Sequence, residues 1–306
     1  MRVVSLLPSA TEILCAVGAS DLLVGRSHEC DFPDAVRSTP VLTGQRTTAV
    51  SEGGDSRSID AEVRASLADG ASLYTLDEPL LRRLRPDLIL TQNLCEVCSI
   101  DLRTVERIAA SMDPPPCVLS LDPKSLEDVF DDLLRVGEAV GRPSEAERRL
   151  VALREEYWSA VDYTAPYTDG PEVALLEWMD PLFVGGHWTP QLIRAAGGRH
   201  SLNETGSKSR QVSPDELVAS QPERIVVCPC GLDLAAIRAE LPRLAEQRWW
   251  GALPAVADGA VALVDGSQMF NRPGPRLVDA FRWLVAWING RPEVEPPGFP
   301  WIPLNG

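Results

Sequence analysis

Short runs of aliphatic and β-branched residues recur along the chain with amphipathic stretches of helical period between them, the alternation expected of βαβ units and parallel sheets. The first strand is expected at Val3 to Leu7, and Ser9 or Thr11 is expected to cap a helix that ends near Gly18. Further strands are expected at Leu22 to Gly25, Asp87 to Thr91 and Cys117 to Leu121. Between the second and third, Thr43 to Arg57 is rich in Gly, Ser and Thr and reads as a loop, and Ile59 to Ala68 reads as a helix. A long amphipathic segment then runs from Leu126 to about Ala160, interrupted only at Gly141-Arg142-Pro143 and restarted by Ser144-Glu145-Ala146-Glu147. The alternation resumes with strands at Val173 to Glu177, Arg224 to Cys228 and Ala260 to Val264. Helices are expected at Pro190 to Ala196, Pro214 to Ser220, Leu234 to Ala245 and Arg276 to Ile288.

This pattern predicts two α/β lobes with mostly parallel sheets, bridged by one long α-helix. The divisions are residues 1–122, a bridging helix at 123–163, a second lobe at 164–291, and a Pro-rich tail at 292–306 expected to lie along the surface. A length of 306 residues gives room for two such cores. The formal charge of −15 excludes DNA and anionic membranes as natural partners, and no stretch is long and apolar enough to insert in a bilayer. Strand-like residues begin at Arg2, with no charged and apolar leader, so the expected location is cytoplasmic; a trimmed exported protein is the alternative.

Ligands of open parallel sheets bind beyond the carboxyl ends of the strands. Those positions carry His28-Glu29-Cys30, Cys95-Glu96-Val97-Cys98, Glu177-Trp178, Gly185-Gly186-His187-Trp188, Cys228-Pro229-Cys230 and Asn271-Arg272 through Arg276. Five of the seven cysteines and two of the three histidines fall there, which predicts a small-molecule cleft. Cys15 and Cys117 read as plain core residues. Cys95-x-x-Cys98 and Cys228-x-Cys230 have spacings that suit zinc or iron held by thiolates, and small buried thiols are the other reading. Histidine binds metals or shuttles protons, and His28 and His187 sit in loops beside acidic or aromatic residues. Trp178, Trp188 and Phe270 are candidate stacking walls, whereas Trp283 and Trp287 have packing spacing. Arg272 and Arg276 at the start of the last helix suit a phosphate or carboxylate, or else pin their loop. Glu29 and Glu177 form the only positional candidate for an acid–base pair, and no catalytic motif accompanies them.

Four segments, Val3-Val4-Ser5-Leu6-Leu7-Pro8-Ser9-Ala10-Thr11-Glu12, Leu84-Arg85-Pro86-Asp87-Leu88-Ile89, Asp180-Pro181-Leu182-Phe183-Val184-Gly185-Gly186 and Ala195-Ala196-Gly197-Gly198, resemble the cobalamin-binding proteins of ABC importers. These belong to the helical-backbone class of solute-binding proteins, which also carry siderophores and haem. The resemblance covers roughly residues 2 to 290 and implies two Rossmann-like lobes bridged by a helix, with a cobalamin or related corrinoid clamped between them. It further implies docking on an ABC permease through one acidic residue per lobe, near Glu78 and near Asp215 or Glu216. The chain departs from that pattern in its missing leader, its long Thr43 to Tyr74 excursion and its Cys- and His-bearing motifs. These departures leave open a metal- or Fe–S-carrying protein or enzyme on the same scaffold, or an importer component for a siderophore or haem-like chelate.

Overall fold

A computed structural model describes residues 1–48, 53–68, 72–93, 100–165 and 169–304. The chain divides into two compact units. The first comprises residues 1–54, 61–123 and 127–152, and the second residues 55–60, 124–126 and 153–306.

The first unit is built on β1 (Val3–Ser5), β2 (Leu23–Arg26), β5 (Leu88–Thr91) and β6 (Cys117–Ser120), all parallel in the order β2-β1-β5-β6. A parallel sheet covered by helices must be apolar on both faces, and Val3, Val4, Leu88, Ile89 and Leu90 are all buried. Between β2 and β5 lie β3 (Thr43–Gln45) and β4 (Tyr74–Leu76), an antiparallel pair, with α2 (Ser56–Ala68) between them in sequence. The expected loop from Thr43 thus opens with a strand. Around the sheet are α1 (Pro8–Ala16), α3 (Glu78–Leu84) and α4 (Leu102–Ala110). Asp77 and Asp101 cap α3 and α4 by accepting from the amides of Leu80 (2.8 Å) and Thr104 (3.0 Å). Neither Ser9 nor Thr11 caps α1: Pro8 occupies its first turn, where its fixed φ suits a helix start, and Leu7 precedes it without a side-chain bond. Cys117, expected in the core, is exposed at the start of the edge strand β6.

The long segment forms two helices, α5 (Leu126–Ala139) and α6 (Pro143–Val161). Gly141 takes φ +71°, a left-handed geometry that ends α5, and Pro143 starts α6. The 19-residue α6 carries the chain from the first unit into the second.

In the second unit the sheet order is β12-β11-β10-β7-β8-β9. Its centre is parallel: β7 (Val173–Met179), β10 (Arg224–Val227) and β11 (Val261–Val264). Antiparallel strands β8 (Leu182–Val184) and β9 (Arg210–Gln211) extend one edge, and β12 (Trp301–Pro303) closes the other. Helices α7 (Thr189–Ala195), α8 (Pro214–Ala219), α9 (Leu234–Ala245), α10 (Pro254–Ala257) and α11 (Leu277–Asn289) complete the unit. The tail does not simply lie along the surface. Phe299 is buried and stacks on Trp283 (centroids 5.2 Å apart, planes 11° apart), and Trp301 leads β12 alongside β11. Aromatic rings supply enough buried area to hold so short a strand.

Candidate functional site

At the carboxyl ends of the first unit's strands the backbone gives way to a hydrogen-bonded polar cluster. The Thr11 hydroxyl lies 2.8 Å from Ser5 Oγ and 3.0 Å from the Cys30 sulfur. Cys30 is fully buried, so its thiol belongs to this internal cluster and supplies no wall to a cleft. Arg26 holds the loop after β2 through the carbonyls of Ser27 (3.0 Å), Cys30 (2.9 Å) and Arg37 (3.0 Å). His28 is half-buried on that loop, beside Glu29. Thr43 donates its hydroxyl proton to Ser27 Oγ (3.0 Å), and its oxygen receives the His28 backbone amide (3.0 Å) and faces His28 Nδ1 at 2.7 Å. This assigns the ring proton to Nδ1 and leaves a lone pair on Nε2. Nε2 is buried with no hydrogen-bond partner among the described residues. Burial, followed by the charge of Arg26, lowers the His28 pKa and keeps the ring neutral.

Near the end of β6, Ser120 Oγ donates to Asp122 (2.8 Å), and the Arg135 guanidinium reaches the Ser120 carbonyl (2.9 Å) and Asp132 (2.6 Å). Burial lifts the Asp132 carboxyl to about 6, against the opposing pull of Arg135 and with the repulsion of Asp122 and Asp128. A carboxyl raised in the folded state holds its proton more tightly there, so its contribution to stability is present in acid and is lost as pH rises through about 6. Asp132→Asn is therefore expected to gain on the parent protein between pH 4 and 7, by an amount on the order of 3 kcal/mol. Urea midpoints of both proteins at the two pH values test this; a gap that does not widen with pH refutes it.

In the second unit the residues at the carboxyl end of β7 are set by a bulge. Pairing with β8 shifts register between Leu176 and Trp178, so Glu177 is the extra residue and both it and Trp178 are half-buried. Glu177 accepts from Ser209 Oγ (2.7 Å), and burial raises its pKa against the hydrogen bonds of Ser209 and the Gly186 amide. Gly186 has no room for a Cβ, which would overlap the backbone at Ser207 to Ser209. His187 follows with φ +52°, a region uncommon for residues other than glycine, and is half-buried with its ring stacked on Trp188 (5.5 Å). Its Nδ1 is buried with no partner among the described residues, and burial, then Lys208 and Lys124, lowers its pKa.

Two expected walls are not walls. Trp188 is buried, with its indole nitrogen donating to the Phe270 carbonyl (2.8 Å), and Phe270 is 1% exposed against Trp283. Their large apolar areas are closed into the unit's core, which leaves Trp178 and His187 as the half-buried rings of this face. Cys228 is likewise buried, its thiol pushed well up by burial, then by Cys230, Glu177 and Asp265, so it stays protonated at neutral pH; Cys230 is exposed. Asn271 bridges the carbonyls of Cys228 (3.1 Å) and Gly266 (2.8 Å), tying together the ends of β10 and β11. Arg272 is buried, and Arg276 donates to the Gln268 side chain (2.9 Å), so the loop before α11 holds both arginines inward. Cys95 and Cys98 lie outside the described residues, and among the described residues no group of three or more His, Cys, Asp and Glu is placed to hold a metal ion.

The acidic pair of surface candidates is also differentiated. Glu78 pairs with Arg82 (2.6 Å) in the first turn of α3. Glu216 completes a capping box with Ser213 at α8 and pairs with Arg210 (3.0 Å); the Ser213 backbone amide, then Arg210, holds its carboxyl down at about 2, while Asp215 stands exposed beside it. Sequence inspection missed the bulge at Glu177, the role of Thr43 and the lysines facing His187; a short polar strand start such as Thr43-Gly44-Gln45 carries no periodic signal.

Comparison with known proteins places this geometry in a family. The periplasmic binding protein pattern matches residues 3–267. The vitamin B12-binding protein of Photorhabdus laumondii is 25% identical over 292 residues, covering 94% of this chain and 88% of that protein. That of Yersinia pestis is 23% identical, covering 92% and 84%. Among solved structures, a periplasmic heme-binding protein from Pseudomonas aeruginosa superposes with a TM-score of 0.70 at 21% identity, covering 94% of this chain and 92% of its own. The periplasmic vitamin B12-binding protein of Vibrio cholerae does so with a TM-score of 0.68 at 18% identity, covering 95% and 98%. The α/β architecture, the match over residues 3–267 and the shared topology assign the chain: it belongs to the periplasmic binding protein family.

Proposed function

We propose that this protein binds a metal-centred macrocycle of the cobalamin or corrinoid class. The observation that carries the reading is the pair of histidines, His28 and His187, each in a carboxyl-end loop, each held neutral and each with a buried ring nitrogen unpartnered among the described residues. A buried polar atom without a partner costs free energy unless a ligand supplies one. His28 is the better placed for the metal, because the proton on Nδ1 leaves Nε2 as a free donor atom. Trp178 offers an aromatic face, and Glu177, with its raised pKa, a proton-sensitive group beside it. The vitamin B12-binding names of the relatives support this choice of ligand.

A haem-like chelate is the second reading, favoured by the same unpartnered nitrogens and by the heme-binding protein among the structural relatives. An ABC permease is the proposed partner on the strength of family membership, with Asp215 and Glu78 as the acidic contacts. Equilibrium dialysis tests the ligand: hydroxocobalamin is expected to bind at one equivalent and raise the melting temperature, with haemin as the comparison. Retention of neither removes the reading.

A further inference from the structure

The excursion between β2 and β5 contains a short stretch, residues 55–60, that groups with the second unit, although its flanking residues in sequence group with the first. Its contacts within the second unit are specific. The Ser56 amide donates to both carboxylate oxygens of Glu240 (3.0 and 3.1 Å), and the Ser56 hydroxyl bonds the same carboxylate. Asp55 pairs with Arg243, and Arg57 Nε lies 2.8 Å from Asp180. Trp178, at the end of β7, donates its indole N–H to the Ser56 carbonyl (3.2 Å).

Most of that attachment is polar. Ser56 and Ile59 are the buried residues of α2, and Glu240 is the buried carboxylate that meets them. The two ion pairs reach solvent, where such pairs contribute little. A first helical turn attached through a buried carboxylate and solvent-reaching ion pairs opens locally at lower free energy than the core strands. Gly53, at φ +70° with open space around it, and Gly54 stand just before the stretch, and such residues absorb hinge rotations.

We propose that residues 55–60 form a strap that gates the carboxyl end of β7, with Glu240 as its latch. In the closed state the strap uses the Trp178 indole N–H; in the open state it frees that ring for an incoming ligand. Glu240 is a positioning residue that acts through Ser56 and does not touch the ligand. The ligand step rests on the small-molecule reading above, whereas the opening step does not.

Hydrogen exchange of the full chain without ligand tests the latch. Glu240→Ala is expected to raise exchange of the α2 first-turn amides by about 10-fold or more, through loss of the buried hydrogen bonds that the Ser56 amide and hydroxyl make to this carboxylate, with β7 and β10 unchanged. Ser56→Ala, which keeps the carboxylate and folds more safely, is expected to give a smaller rise in the same amides. Stopped-flow mixing with hydroxocobalamin is then expected to show faster association for both variants. Unchanged exchange at 55–60 in both variants overturns the latch, and raised exchange with an unchanged association rate overturns the gate. Failure of parent and variants alike to bind hydroxocobalamin or haemin overturns both the ligand reading and the gate, and the exchange data then show separately whether the strap opens.

Discussion

Replacing Trp283 with alanine is expected to destabilise the protein by about 3–5 kcal/mol, the range for emptying a large aromatic site in a packed core. Trp283 is fully buried on α11 and stacks on both Trp287 (5.4 Å) and Phe299 (5.2 Å), with Phe270 and Trp301 edge-on to it. Losing it removes the surface on which the tail rests, so β12 is expected to release from β11 in the same variant. Trp283→Phe is expected to lose far less. Its ring keeps the stacking, and the Trp283 indole nitrogen is buried without a partner among the described residues, so phenylalanine also relieves a desolvated donor. Urea unfolding followed by far-ultraviolet circular dichroism ranks the three proteins. Equal loss in both variants would show that the cluster does not anchor the tail.

His28→Ala is expected to weaken hydroxocobalamin binding by at least ~10-fold, the effect of removing one well-placed polar partner from a buried ligand contact. The more informative variant is Thr43→Val. It keeps the shape beside His28 and removes the oxygen that holds the proton on Nδ1, so the ring loses its fixed tautomer while Nε2 remains in place. A loss intermediate between the parent protein and His28→Ala is expected, together with a changed visible spectrum of the bound ligand. A purely structural histidine would alter the melting temperature and leave the spectrum of the bound ligand as it was. His187→Ala is expected to lower affinity too, and Gly186→Ala to do so indirectly by displacing the Ser207–Ser209 backbone on which Glu177 depends.

The scaffold was legible because its signals are long and redundant. Val173 to Leu176, Ile225 to Val227 and Val261 to Val264 are continuous buried runs, and α11 is apolar nearly all round, patterns that only interior elements carry. What escaped notice was short or depended on distant partners. β8 and β9 have three and two residues, too few for any period, and β12 is fixed by rings that meet only after folding. Strand ends singled out the candidate loops, but residue type did not tell which of their side chains are open and which are buried. Trp178 and Trp188 look equivalent on paper; the bulge at Glu177 leaves the first half-buried, and the Phe270 carbonyl takes the second into the core. Cys30 and Cys228 likewise sit at strand ends but are buried in their own units, Cys30 against the Thr11 hydroxyl and Cys228 with its thiol pushed well up by burial.

The proposal that unpartnered histidine nitrogens receive a metal-centred macrocycle is tested most directly by the visible spectrum of the protein titrated with hydroxocobalamin. A saturable change from the spectrum of free hydroxocobalamin is expected at one equivalent in the parent protein, and a reduced change or none in His28→Ala. No saturable change with hydroxocobalamin, and none with haemin under the same conditions, would contradict it.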